Sequence, residues 1–518
     1  MITKETKDIL MSDYPLFEEN TRKFFKKDMS MPDYKKFSGQ FGTYAERGMQ
    51  TGMSRWRFPG GEINQNQLKF MAEAIRKYGL EHIRFTIGQA IQMHGLDGET
   101  IITLFKECFN HDIFCRGAGG DTISNFGSSP LHGIDPEEAF DITPYIHAGY
   151  DEILPMLKYF KLPRKFKIAI DNGHDASCHA LIKDAGFHAK PNGTFDVYMA
   201  GGIGPGPALG IKVAEDVDPK KMNYYIKAMI MLFTNYGNYK NHNKARSRFI
   251  PAELGGEDEF KAKYNEILDM VMDVESLDID PDKYARPITK TGPVDDSVLG
   301  PRVGKQKQEG LYWVEYKPLA GDANPNHLLA ALDYVTGLDQ VEGRLSPAAG
   351  IYFINLRADE ARHLLGLLPE GATSDFERSL ACVGKNRCQI GMQDSPGLLR
   401  SIIGAVKEAD LDMSFLPTIH ISGCPSSCGC HQVGEIGFQG SIKLVNKVPT
   451  PAFAVFVGGS ECVDHPSFGK PVATLAQDVI PTMMVDLGHK LQQAGITDFH
   501  AWQAAHYDEF VAFLKDYE

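Results

Sequence analysis

Four cysteines stand in two pairs: Cys382 and Cys388 in ACVGKNRCQIG, with five residues between them, and Cys424 and Cys428 in SGCPSSCGCHQ, with three. Thiols this close can hold a metal, form a redox dithiol, or simply pack. Zinc sites favour C-x2-C to C-x4-C pairs, and the first pair is wider than that. A thioredoxin-type dithiol needs C-x-x-C, which is absent among these four. An iron-sulfur cluster held by four thiolates fits the number of ligands, and four buried, unligated cysteines remain the bland alternative. Pro425 suits a first helical turn and Gly429 its end, so the spacing predicts a turn of helix with Cys424 and Cys428 on one face. Its amide N–H groups would then point at an anionic cluster. Cys430, on another face, reads as packing.

Such a site needs a scaffold, and the chain has the length for one. Its 518 residues suggest two to four domains. With 43% hydrophobic and 23% charged residues it reads as globular and large enough to bury a cofactor. The net charge of -13 argues against a general nucleic-acid grip. No run of about 18 apolar residues occurs, so neither a membrane span nor a signal peptide is expected, and a cytoplasmic location is. Nine cysteines, an odd count in a long chain, fit reduced thiols or metal ligands better than a disulfide framework.

Residues 1–45 show no clear period and read as an arm wrapping the first domain. MSRWRFPGGEI reads as a strand and a Gly-Gly turn, NQNQLKFMAEAIRKYG as a helix, and HIRFTIGQAIQMHGL as strand again. The same order returns after residue 305 in GLYWVEYKPLAG, NPNHLLAALDYVTGL and EGRLSPAAGIYFINL. Setting Arg84 against Arg344 places Ile91 opposite Ile351, which suggests a duplicated α/β half. Between the copies, RKFKIAIDNG and FDVYMAGGIGPGPALG look like strands ending in Gly-rich turns, and DPKKMNYYIKAMIMLFTNYG like a helix. The Pro-, Gly- and Asp-rich stretch around residues 281–305 is the best linker candidate. The last 140 or so residues carry the thiols and finish in helices. GGIGPGPALG lacks the context of a dinucleotide fingerprint, so no nicotinamide or flavin site is expected.

ACVGKNRC with GCPSSCG, followed by HQVGEIGFQGS, resembles the siroheme and [4Fe-4S] signature of the nitrite and sulfite reductase family. The likeness runs from about residue 40 to the end. RWRFPGG resembles the family's R-x-R-x-PGG segment, TIGQAIQMHG its T-x-R-Q-x-x-Q-x-HG segment, and LPRKFK its basic strand.

The resemblance implies a pseudo-twofold α/β (α+β) architecture with two ferredoxin-like halves, 46–114 and 306–372. Two siroheme- and cluster-binding α/β domains would occupy 115–280 and 373–518, with 281–305 as linker. It implies a cluster on Cys382, Cys388, Cys424 and Cys428, the last also serving siroheme. Arg57, Lys165 and Lys167 would face the substrate as catalytic cations. Arg55, Arg84, Gln89, His94, Asn125, Lys244, Arg246 and Arg248 would line the siroheme pocket, whose ligand carries eight carboxylates. The implied reaction is six-electron reduction of sulfite to sulfide or nitrite to ammonia. In the family Lys-x-Lys at residues 165–167 goes with sulfite. An external donor such as ferredoxin would supply electrons to a small anionic substrate, with no nucleic acid or membrane involved.

The chain departs from the family pattern at four positions. Gly88, Ser124, Tyr239 and His242 stand where the family has arginine, and Lys190, Lys240 or His94 are candidate replacement cations. Two alternatives stay open: a nitrite-specific reductase, and a non-catalytic siroheme and iron-sulfur carrier or sensor. A structural zinc protein using the same four thiols is a further rival.

Overall fold

The computed structural model describes residues 2–518. Among the described residues the strands form four five-stranded sheets. The chain divides into two compact units. The first comprises 1–202, 208–315 and 323–369; the second comprises 203–207, 316–322 and 370–518.

The first unit holds three sheets. One runs Thr43–Ala45, Gly52–Arg57, Ala90–Leu96, Ile83–Phe85, and ends with the short strand that reaches Ala323. Another runs Val303–Lys305, Tyr312–Tyr316, Gly350–Leu356, Glu342–Ser346, Glu62–Ile63. The two repeat each other in detail. Phe85 pairs with Ile91 as Leu345 pairs with Ile351, and Gly60 and Ala320 both sit at φ 58°. Each half also lends its short strand to the other's sheet: Glu62 pairs with Arg344, and Ile63 with Gly343. The duplication read from Arg84 and Arg344 is therefore a duplication of fold. Helices Gln65–Tyr78 and Pro325–Val335 occupy equivalent places, each capped by an asparagine, Asn64 and Asn324, whose side chain accepts from the first-turn amides.

The third sheet of this unit runs Ile123–Ser128, Phe166–Asp171, Ala185–Ala189, Phe195–Met199, Ile211–Val217. Helices Thr143–Tyr159, Met222–Tyr236 and Glu257–Val274 bury its apolar side chains in a core that includes Phe126, Phe166, Phe187 and Phe233. Residues 275–302 carry only two short 3-10 turns, yet the Lys290 side chain is buried there and pairs with Glu360 at 2.7 Å.

The N-terminal arm differs from the expectation of an irregular wrap. It forms helices Lys4–Met11, Tyr14–Phe25 and Met31–Ser38. Thr3 and Ser30 cap two of them, and Phe17 stacks on Phe41 at 4.7 Å. Eight to twelve residues per helix is too short for a clear period when aromatic residues occupy both faces.

The second unit has its own core, including Leu398, Ile402, Phe438, Phe453 and Leu487. Its sheet runs Leu380–Ala381, Ile419–Ser422, Ile436–Val445, Val448–Val457, Lys470–Ala476, the same order as the third sheet above. Among the described residues no helix is long and apolar enough to cross a membrane.

Candidate redox site

Cys382 follows the strand Leu380–Ala381, and Cys424 and Cys428 follow the parallel strand Ile419–Ser422. The Cys382 N–H donates to Ile421 O at 3.0 Å, and Cys388 N–H to Gly384 O at 3.0 Å. Met392 and Gln393 both donate to Gly423 O at 2.9 Å. These bonds lock the Cys382–Cys388 loop against the Cys424–Cys428 loop. The Gly423 N–H then donates to Cys382 Sγ at 3.1 Å, the contact that a thiolate ligand accepts readily. All four cysteines are free thiols, and Cys428 is exposed.

The expected helical turn at Cys424–Cys428 is not there. The segment is a pair of turns, because Ser427 adopts φ 55°, a left-handed conformation that ends any helix. A side chain at Gly429 would collide with Ile421 O, so the loop folds back onto its own strand. Cys430, also left-handed, is buried as expected for a packing residue.

Gln432 clasps the Gly-rich turn 203–207, accepting from Gly204 N–H at 2.7 Å and donating to Gly204 O at 3.0 Å. His431 is fully buried and meets the Phe456 ring edge-on at 4.7 Å. Burial pushes its pKa down to about 4, and His420 is likewise held at about 4. Among the described residues no three His, Cys, Asp or Glu side chains are arranged around one metal ion. A [4Fe-4S] cluster spreads four thiolates over four irons and does not require them to converge on a point.

The first unit contains a copy of this site without thiols. Cys430 and His179 both sit at φ 55°, and a side chain at Gly437 or Gly186 would collide with the carbonyl of His431 or Ala180. Ser129 N–H donates to Ile170 O as Cys382 N–H does to Ile421 O. Asn172 N–H donates to Ser129 Oγ at 2.9 Å, as Gly423 does to Cys382 Sγ. Asp135 N–H donates to Leu131 O as Cys388 does to Gly384 O. Ser129, Asp135, Gly173 and Ser177 thus stand where the second unit has Cys382, Cys388, Cys424 and Cys428. There Asp135 binds His174 Nδ1 at 2.9 Å and Asn172 Nδ2 at 3.1 Å.

The cationic residues lie in the first unit. Lys165 and Lys167 flank the buried Phe166, so strand alternation puts both, half-buried, on one face. The Lys167 N–H donates to Asp184 Oδ2 at 2.7 Å, and Arg246 Nη2 reaches the same oxygen at 3.2 Å. Asp184, fully buried and also accepting from Ser247 Oγ, therefore organises the Lys167 and Arg246 segments. Sequence reasoning missed it, since a lone Asp in the bend before a strand carries no motif. Burial first and Arg246 second lower the Arg248 pKa to about 10. Lys244 is exposed.

Arg55 Nη1 donates to Ala118 O at 2.8 Å. Arg84 is buried. Arg57 is fully buried, with Nη1 donating to Ile123 O at 3.1 Å and the guanidinium 5.0 Å from the Tyr150 ring. Its Nε and Nη2 have no protein partner, which fits a cation built to meet a further anion.

Four of the candidate residues, Gln89, His94, Lys190 and Asn125, are tied into the protein itself. Gln89 donates to Gly60 O and Leu345 O and accepts from Ser128 N–H, so its amide clamps three backbone groups within the protein. His94 is held by Glu46 at 2.7 Å, and Lys190 by Asp216 at 2.8 Å and Asp196 at 3.2 Å, so each already has a carboxylate partner. Asn125 donates to Gln89 O at 2.8 Å and Gly88 O at 3.2 Å, while its Oδ1 is buried without a partner.

The four departures have local reasons or none. Tyr239 donates to Lys161 O and Thr234 O, and His242 lies 3.4 Å from Asp121, which pairs with Arg164 at 2.7 Å. Gly88 is exposed, and a side chain there would meet nothing closer than Thr86 Oγ1 at 3.9 Å. Nothing in the structure explains Ser124.

The free thiols, the N–H donor at Cys382 and the partnerless guanidinium nitrogens of Arg57 fit the two expected cofactors. A family model described as the nitrite and sulphite reductase 4Fe-4S domain matches residues 119–270, and the nitrite/sulfite reductase ferredoxin-like half domain matches 47–108. The chain is 26% identical to a ferredoxin–nitrite reductase of Synechococcus elongatus, over 84% of this chain and 85% of that one. It is 24% identical to a sulfite reductase [ferredoxin] of Mycolicibacterium paratuberculosis, over 79% and 73%. Its fold matches the structure of the Mycobacterium tuberculosis NirA protein with a TM-score of 0.74 at 20% identity, covering 93% of this chain and 92% of that one. Two segments of the chain thus match domain models of nitrite and sulfite reductases, and most of its length is similar to ferredoxin-dependent enzymes of that kind.

Proposed function

We propose that this protein reduces sulfite to sulfide or nitrite to ammonia, taking six electrons from an external ferredoxin. The supporting observation is the pair of interlocked loops that presents Cys382, Cys388, Cys424 and Cys428 as free thiols. These four would hold a [4Fe-4S] cluster, and Cys428 would also face siroheme. When bound, the two cofactors supply the electron storage and the metal on which the anion is reduced. Lys165 and Lys167 neutralise the bound oxyanion and pass protons to the departing oxygens. Arg57 orients the anion through its planar guanidinium. Asp184 holds the Lys167 segment in place from behind. The Lys-x-Lys pair favours a sulfite-competent enzyme over a nitrite-specific one. A cytoplasmic location suits a chain with nine reduced thiols.

Anaerobic turnover with reduced methyl viologen, reading sulfide and ammonia from each substrate, tests this. Product from either anion is expected. Gly88 and Ser124 favour the second reading, a non-catalytic carrier or sensor; holoprotein with both cofactors and no product from either anion would establish it. Zinc in place of iron in the purified protein would remove both readings.

A further inference from the structure

The two copies of the cluster loop differ in what they show to solvent. Alignment continues beyond the thiols: Gly391 N–H donates to Cys388 O as Glu138 does to Asp135 O, and Met392 N–H to Gly423 O as Ala139 does to Asn172 O. Ile390 therefore corresponds to Glu137, Met392 to Ala139, Lys385 to His132 and Arg387 to Ile134. In the thiol-free copy the loop is acidic or closed: Glu137 is exposed, and His132 and Ile134 are buried. In the thiol-bearing copy Ile390 is 57% exposed and Met392 43% exposed, with Lys385 and Arg387 half-buried beside them.

Two large apolar side chains held outward by a hydrogen-bonded loop cost solvation free energy that burial against a partner would recover. The thiol-free copy shows that the loop backbone does not require them. Two cations within three residues give this loop a local attraction for an acidic protein, on a chain whose net charge of -13 would otherwise repel one. It is also the loop that carries Cys388, where an incoming electron has the least distance to cover.

Resting on the reductase reading above, we infer that the loop 385–392 is the docking face for a small acidic iron-sulfur electron donor, with Ile390 and Met392 as its apolar contact and Lys385 and Arg387 as its steering charges. Each encounter hands over one electron and the donor leaves oxidised by one, so six encounters reduce one sulfite or nitrite.

The test uses cofactor-loaded protein and compares two electron sources: reduced methyl viologen, which needs no docking face, and a dithionite-reduced plant-type [2Fe-2S] ferredoxin. In I390E/M392E the KM for ferredoxin should rise at least tenfold while the viologen-driven kcat stays within twofold of wild type. Raising ionic strength should raise the wild-type KM for ferredoxin and leave the viologen rate unchanged. If the acidic double variant fails to fold, I390S/M392S carries the same expectation with at least a threefold rise. An unchanged KM for ferredoxin overturns the inference. A parallel loss of cofactor absorption and viologen-driven turnover also overturns it, because the two side chains would then seat a cofactor. So does a wild-type dimer that the variant converts to monomer, which would mark the loop as a self-association face. Wild-type holoprotein without viologen-driven turnover would instead fail the reductase reading itself.

Discussion

The backbone N–H of Gly423 points at Cys382 Sγ from 3.1 Å. In the thiol-free copy a serine oxygen takes the equivalent bond, so the loop tolerates either atom. Cys382→Ser is therefore expected to fold, with a change in denaturant midpoint equivalent to about 1 kcal/mol or less. It should bind less than a tenth of the wild-type iron and sulfide. The wild type should carry one cluster per chain, since Ser129, Asp135, Gly173 and Ser177 offer no thiol. Iron and acid-labile sulfide counts check both statements.

Glu62 is buried among Arg344 at 2.5 Å, His147 at 2.8 Å and His132 at 3.5 Å. Against the cost of burial, these neighbours, Arg344 foremost, hold its carboxyl well below the usual range. Because Glu62 also sits on the strand lent to the second half, this cluster ties the two halves together. Glu62→Ala leaves the buried Arg344 with only Glu342, at 3.2 Å, and should cost about 3–5 kcal/mol. Urea unfolding at neutral pH measures it.

Glu46 supports His94 and accepts from Gly95 N–H and Thr51 Oγ1. Burial acts against its charge, but the His94 bond and its charge bring the carboxyl pKa down to about 2. A carboxylate with a depressed folded pKa binds fewer protons folded than unfolded. Its stabilisation is thus complete above about pH 4.5 and lost as pH falls towards 2. Glu46→Gln should be less stable at neutral pH and lose less between pH 5 and 2, as Tm against pH would show.

Lys165 and Lys167 share one strand face, so removing either leaves a cation nearby while removing both does not. Lys167→Ala is expected to lower kcat/KM for sulfite by about 100-fold, the scale of one lost electrostatic contact. The double variant should fall further, with siroheme absorption retained. A loss of absorption in step with activity would make the lysines cofactor ligands.

Gly88 occupies an open, exposed turn where the family has arginine. Gly88→Arg should change stability by no more than about 0.5 kcal/mol and should slow siroheme loss during gel filtration. The tetrapyrrole absorbance retained per chain is the readout.

The paired thiols and the duplicated halves were legible because each carries a pattern: a rare residue at fixed spacing, or strand and helix periods recurring in order. The thiol-free copy was not. Ile170–Phe187 and Ile421–Phe438 share a backbone path but few identical residues, Gly186 and Gly437 among them. The shared features are a left-handed residue and a strand register, neither of which a side chain announces. His179 and Cys430 look unrelated until their φ values coincide. The clamp made by Gln89 was hidden for the opposite reason: its motif position draws attention to a ligand, while its amide answers three backbone groups that only the folded chain brings together.

The exchange of short strands between the halves has a consequence for synthesis. Ile63 leaves the ribosome early, but its partner Gly343 follows about 280 residues later, roughly 14–56 s at typical translation rates. Until then the nascent chain carries the Glu62 carboxylate without the arginine it is built to meet. A chaperone that shields this stretch during translation should raise the yield of active protein more than one added afterwards.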